Sequence, residues 1–560
     1  MATLYAKAAG GNWSAAGTWS ATGSAGVDNA GPPAATDDVI LELGSGAITV
    51  DAASVAKTVS CSAGTGAYTG ILTHNAFNLT VSGSVTLVAG MTYTPLATST
   101  ITINATATLT TGGKLLPLLA HTSGTLTLGD NLSFMASKVI TFKLSGTALA
   151  LNGRTVSGNS DVNRILIQSN VIGTAATITN TTGTFANADF QDITFSSAVD
   201  YSAITGLAGD CGGNTGSTLT TAVPQTHDGT TSNWSTAARW TSRVPLPQDN
   251  VSIPSGTGTV TVDMPRIGAS VTFAGFTGTV TTAAGTITLY GSFTASSGMT
   301  LTFNGNNNFN GRGTHTITSA GKTGYGPIVI NSGTYSLSDA LLLSTNSAFT
   351  IANSATFNTN SFSISFGQGT VGANTTTNWG TSTVTMMLTA VSTLFGAGGT
   401  FSAASATFVV ATASASARTF AGGGKTFGDL RLPGGGAGAF TITSANTFNR
   451  IYTDGAGVVA IVLPGSATTT LISGAGLNNG TNVVTFTASA GSATISKSTG
   501  ILSWNYVSLT NIPSTGGATF YAGANSTDGG GNTGWIFATG PSLENSGAAG
   551  GNNLMMMGCG

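Results

Sequence analysis

The chain has 560 residues, only 6% of them charged, with a formal net charge of −2. A typical soluble domain carries roughly 25% charged residues, so this surface is wetted by hydroxyls and amides, and its 17 Lys and Arg, spread over the whole length, exclude a phosphate-tracking groove or attraction to anionic lipid. No run approaches the roughly 18–20 apolar residues that span a bilayer, and the length favours two large domains or one repeat body over a single compact domain.

Residues 1–10 form a lead-in. The opening "MATLYAKAAGGNWS" has no apolar core segment and no processing pattern, so export by the general secretion route is not expected. From there on, short words of alternating β-branched residues recur, each followed by a small-residue turn: "GAITVDA" at 46–52, "GTLTLGD" at 124–130, "GTVTVDM" at 258–264, "GMTLTFNG" at 298–305 and "ATFVVAT" at 406–412. Thr and Val alternating with period two suit pleated strands with one face inward. The Gly, Asn and Ser between them suit turns. No amphipathic helix of useful length intervenes, so the class is all-β.

Two stretches open alike. Asn12-Trp13-Ser14 and Asn233-Trp234-Ser235 are each followed six residues after the first Trp by a second, Trp19 and Trp240. Both continue through prolines (Pro32 and Pro33; Pro245 and Pro247) to Asp38 and Asp249, and then to Val50-Asp51 and Val262-Asp263. Two stretches also close alike, "GDCGGNTGST" at 209–218 and "STDGGGNTGW" at 526–535. One design therefore occurs twice, at 11–217 and 232–536, with a linker at 218–231 and a Gly-rich tail at 537–560.

The repeats differ in length by roughly a hundred residues while their ends agree. A solenoid absorbs such a difference by adding turns of ~20–25 residues, stacked at the ~4.8 Å strand spacing. We therefore expect a parallel β-helix in two tandem modules, the alternative being tandem β-sandwiches or jelly rolls. A solenoid's last coil exposes unpaired backbone and core, so Trp13, Trp19, Trp234 and Trp240 are read as lids at the openings. Asp210 and Asn214, with Asp528, Asn532 and Trp535, are read as lids at the closings. The competing role for these tryptophans is stacking on sugars.

Residues that could carry chemistry are few. Glycoside hydrolysis needs two carboxyl groups at controlled separation, but the chain holds only Glu42 and Glu544 as glutamates. Asp37 and Asp38 are adjacent and so face opposite sides of a strand. Asp189 and Asp192 precede a closing phrase, where turn bonding is the simpler role. His74, His121, His227 and His315 stand alone without metal spacing, and Asp-x-Gly turns lack the convergent oxygens that calcium needs. Gly-rich "AGGGK" and "PGGGAGAF" lack the setting of a phosphate loop. No catalytic residue, metal or cofactor is expected.

Cys61, Cys211 and Cys559 are too far apart and too few for a disulfide framework. Thr-x-Thr words and Asn-x-Ser/Thr triplets such as Asn12, Asn104 and Asn525 are what a chain of this composition contains anyway. In the tail, Leu554, Met555, Met556 and Met557 form a small apolar plug on a flexible tether, a candidate partner-docking peptide.

The words "YAKAAGGNWSAAGTWS" at 5–20, "PPAATDDVIL" at 32–41 and "DGGGNTGW" at 528–535 resemble those of solenoidal, adhesin-like structural proteins of tailed bacteriophages. The resemblance implies a non-enzymatic virion protein, a tail fibre, spike or capsid decoration. It would be oligomeric, with a trimer favoured, bound to other virion proteins and in contact with a host cell-surface glycan or protein. Similar capped β-helices occur in secreted bacterial adhesins and in polysaccharide-processing enzymes, and both stay open as alternatives.

Overall fold

The structure is a computed structural model that describes residues 2–145, 148–283, 285–390, 392–436, 438–455, 457 and 459–541. Among these residues the only helical pieces are two single 3-10 turns, Ala16–Thr18 and Ala237–Arg239. Everything else regular is strand, wound into about 22 turns of a β-solenoid. Tandem sandwiches are excluded, because, apart from the antiparallel return of Trp19–Ser20 on Thr3–Ala6, the strands pair in parallel from one coil to the next. The apolar plug at 554–557, Cys559 and Glu544 lie outside the described residues.

The alternation in the sequence becomes a column of side chains. Asn78–Val81, Thr100–Ile103 and Leu118–His121 bury every second residue. Leu79, Ile101, Leu119, Phe142, Ile167 and Phe190 then lie in register on six successive coils, all buried. The intervening Thr80, Thr102, Ala120, Lys143, Gln168 and Gln191 form the matching outward ladder. Parallel register makes this possible, since each inward residue stacks on an inward residue and each strand inside a sheet is paired on both sides.

The chain divides into two compact units. The first comprises Met1–Thr300, Asn308–His315 and Asn331–Gly333, so it holds the whole first repeat and the opening of the second. The first repeat forms a ten-strand sheet and an eight-strand sheet flanked by four-strand pieces. The stretch 218–231 carries strand Gln225–Thr226, which starts the second stack by pairing with Val251–Ser252.

The second unit, chiefly Thr334 onward, is built on the same rule with larger inward residues. Leu341, Ile364, Val384, Phe408, Leu430 and Ile451 form one buried column. Beside it the rings of Phe395 and Phe420 stack at 5.6 Å, and those of Phe427 and Phe448 at 5.3 Å. Phe366 and Phe395 also stack, at 6.5 Å, and Gly369 makes room for them. A Cβ at 369 would come within 2.9 Å of both rings.

Candidate functional site

The duplicated phrases are duplicated local structures. Trp13 and Trp19 pack edge to face at 5.0 Å, and Trp234 and Trp240 do so at 4.8 Å. In each copy a 3-10 turn delivers the second Trp, whose indole N–H donates to the carbonyl of the first: Trp19 Nε1 to Trp13 O at 2.9 Å, Trp240 Nε1 to Trp234 O at 2.7 Å. The following serine is clamped by the Val-Asp aspartate. Ser14 N and Oγ donate to Asp51 at 3.0 and 2.5 Å, and Ser235 N and Oγ donate to Asp263 at 2.9 and 2.6 Å. The second Trp also folds back antiparallel on the chain just ahead of its repeat, Trp19 on Ala6 and Trp240 on His227. That reversal blocks further parallel addition at the edge. All four rings are buried, with Trp240 the most exposed at 6%, so none has a face free to stack on a sugar.

The closing phrases are equally matched. Asn214 Nδ2 donates to Phe190 O and Asp210 Oδ1, while its Oδ1 accepts Ile193 N–H at 3.0 Å. Asn532 repeats this with Leu509 O at 2.7 Å, Asp528 Oδ1 at 2.6 Å and Ile512 N–H at 2.8 Å. Each aspartate also caps the glycine N–H two residues on, Gly212 and Gly530. An amide at this position serves because it offers a donor to the preceding coil's carbonyl and an acceptor to its N–H at the same time. In the second copy Trp535 adds a lid, stacking on Trp504 at 5.2 Å and donating to Ile512 O.

The first closing phrase is not a free tip. Asp210 N–H donates to Gln248 Oε1 at 2.8 Å, and Arg312 is ion-paired with Asp192. Asp189 was expected to bond a turn. Instead its carboxylate is 1% exposed and sits between two guanidiniums, Arg164 Nε at 2.7 Å and Arg266 Nε at 2.5 Å. Burial alone would raise its pKa, and the two arginines outweigh that and hold it below the ordinary value. Gly209, its register partner, leaves the space, for a Cβ there would sit 2.0 Å from the Asp189 carboxylate. Lys138 likewise reaches Asp263 at 2.7 Å, so the second repeat's serine clamp is tied to the first repeat. Every residue of this flank belongs to the first compact unit. The available signal was an Arg inside an apolar word, "RILIQS" at 164–169 and "MPRIGASV" at 264–271, in a chain with almost no charge.

Beside this ion cluster lies a groove of about 280 Å³. One wall carries Gln168 and Gln191 from the outward ladder of the first repeat, and the other carries Thr288, Tyr290, Asn308 and Asn310. Gln191 is 1% exposed, yet neither its amide nitrogen nor its oxygen has a hydrogen-bond partner.

The other titratable side chains singled out in the sequence are bonded within the fold or buried in it. His74 is buried between Tyr93 Oη at 2.9 Å from Nδ1 and Phe77 O at 3.0 Å from Nε2, and burial depresses its pKa to about 4. The carbonyl can only accept, so Nε2 donates and Nδ1 accepts, which a neutral ring satisfies. His121, His227 and His315 are depressed by burial too. Asp37 accepts from Ala2 and Ala34 N–H, whereas Asp38 faces Lys57 and Thr58, so the adjacent pair is divided as strand geometry requires. Glu42 accepts Ser24 and Thr65 N–H. Cys61 and Cys211 are buried free thiols, and burial pushes Cys61 up to about 12.

The chain matches no family model, no curated protein and no solved structure. Among the described residues no three His, Cys, Asp or Glu are placed to hold a metal ion, and no helix is long and apolar enough to cross a membrane.

Proposed function

We propose that the protein is a non-enzymatic structural component of a tailed-bacteriophage particle, a stiff β-solenoid appendage that contacts the host surface. The observation that supports this reading is the double closure of the solenoid. Two copies of one opening device and one closing device bracket coils of differing number, which is how a solenoid is lengthened without exposing its edges. The repeated phrases that carry the resemblance to phage structural proteins are the same residues that build these devices. The protein would assemble as a homo-oligomer, a trimer in the first instance, with other virion proteins at one end and a host glycan or protein as its outer contact.

The test is direct. Peptide mass spectrometry of gradient-purified particles, with gold-labelled antibody on intact particles, should find the chain at fixed stoichiometry on tail or head. Light scattering of the purified protein should give three chains per assembly. Recovery from cell surfaces or culture fluid without particles would replace this reading with a secreted adhesin, and depolymerisation of host polysaccharide would replace it with an enzyme.

A further inference from the structure

We propose that the groove beside the Arg164–Asp189–Arg266 cluster binds a neutral saccharide, with Gln191 as its central contact. The inference rests on the surface-attachment reading for the source of the ligand, while the groove is argued from its own chemistry.

Gln191 alternates with inward Phe190 and so leaves the first stack outward, in register with Gln168 on the preceding coil. Outward residues of a solenoid ordinarily meet water. This one is covered: it lines the groove, and its carboxamide is closed from water with its donors and its acceptor unused. A buried amide with both ends unpaired is rare in a folded chain and calls for a partner that supplies an acceptor and a donor side by side. A pair of neighbouring hydroxyls does so. The rest of the wall has the same character: the amides of Gln168, Asn308 and Asn310 and the Thr288 hydroxyl, with Tyr290, 9% exposed, closing it.

Access to charge selects among hydroxyl-rich ligands. Asp189 balances only one of its two arginines, and what disfavours a carboxylate or sulfate is access: Arg266, the cation at the groove, is 6% exposed, with Nε spent on Asp189 and Nη2 on the Arg164 carbonyl. A peptide is disfavoured because strand Ala188–Gln191 is paired on both sides, with Ile165–Ser169 and Ala208–Asp210, leaving no edge for strand addition. The volume of about 280 Å³ stands just under the range of roughly 300–1,000 Å³ usual for small-ligand sites, which suits one or two sugar rings.

The experiment uses the full chain on a printed array of neutral oligosaccharides, with carboxylated and sulfated oligosaccharides and extended peptides in parallel. Titration calorimetry with the strongest neutral oligosaccharide then compares wild type, Gln191→Leu and Asn308→Ala. The expected result is binding confined to the neutral set, weakened at least ~10-fold in Gln191→Leu, because the leucine matches the volume and removes the hydrogen bonds. The melting temperature of that variant should be unchanged or higher. Should Gln191→Leu fail to fold, Asn308→Ala on the half-buried wall must show the loss instead. No neutral binder, affinity unmoved by both substitutions, a preference for acidic sugars or peptides, or Gln191 satisfied by buried water only would each overturn the proposal. A chain that is present on particles but binds no sugar refutes the groove alone. A chain that binds sugar but is missing from particles refutes the virion reading alone.

Discussion

Replacing Asp189 by Asn tests the flank that joins the two repeats within the first unit. The substitution keeps the shape and removes the only charge opposite two guanidiniums whose side chains are 4% and 7% exposed. The consequences differ for the two arginines. Arg164 retains the carbonyls of Gly206, Ala188 and Leu207, whereas Arg266 retains only the carbonyl of Arg164. Arg266 is therefore left as a buried cation with one neutral acceptor, and removing one partner of such a cluster costs about 3–5 kcal/mol. Asp189→Asn combined with Arg266→Met, which takes away the stranded charge and fills its place, should recover roughly half of that loss. The chain has two compact units and need not unfold in one step, so the assay is peptide-resolved hydrogen exchange in the native state, read over 164–169 and 188–191. Protection there should fall in the single variant and partly return in the double variant, while peptides beyond 334 stay unchanged. The pH dependence has a definite sign. The Asp189 pKa is lowered on folding, so its contribution is complete above the unfolded value of 3.8 and is lost as pH falls through the lower folded value. A loss under about 1 kcal/mol in Asp189→Asn would show that the ion cluster does not hold the flank.

Three further outcomes follow from the same geometry. His74 has a folded pKa of about 4, so the unfolded chain takes up its proton first, and stability should decline as pH falls from about 6.5 to about 4; in His74→Gln, thermal melts across that window should lose this part of the slope. Asn532→Ala strands the Ile512 N–H in a buried setting, while Leu509 O keeps the Gly529 N–H, and should cost about 1–3 kcal/mol, read as earlier urea unfolding by the fluorescence of Trp504 and Trp535, with Asn214→Ala acting alike on the Ile193 N–H in the first repeat. Gly369→Ala puts a methyl between the Phe366 and Phe395 rings and should cost about 1–3 kcal/mol by overpacking; a melting temperature equal to wild type would mean that the two rings part freely.

Most of the architecture is legible in the residues because a solenoid is governed by nearest neighbours. Period-two words such as "GTLTLGD" select strands, and the strand-turn repetition selects coils that stack on copies of themselves. The paired phrases around Trp13 and Trp234, and around Asn214 and Asn532, are legible as units because their hydrogen bonds run largely within a phrase or to the next coil. The tryptophans were readable as buried and their bonding was not, since the Trp19 N–H to Trp13 O contact depends on a 3-10 turn that composition does not announce.

What the sequence determined by itself was thus the all-β class and the coil-on-coil repetition, both consequences of local alternation and short-range pairing. The tertiary structure decided which outward residues meet water and which meet protein. Asp189 and Gln191 stand on an outward face by alternation, and nothing in their neighbours along the chain says that Arg266, Tyr290 and Asn308 will cover them. That covering turns a turn-bonding carboxylate into the centre of a buried ion cluster and an ordinary surface amide into an unpaired one. The physical reason is desolvation: the energy of a polar side chain on a strand depends on what removes its water, and here that is a stretch of chain some hundred residues away.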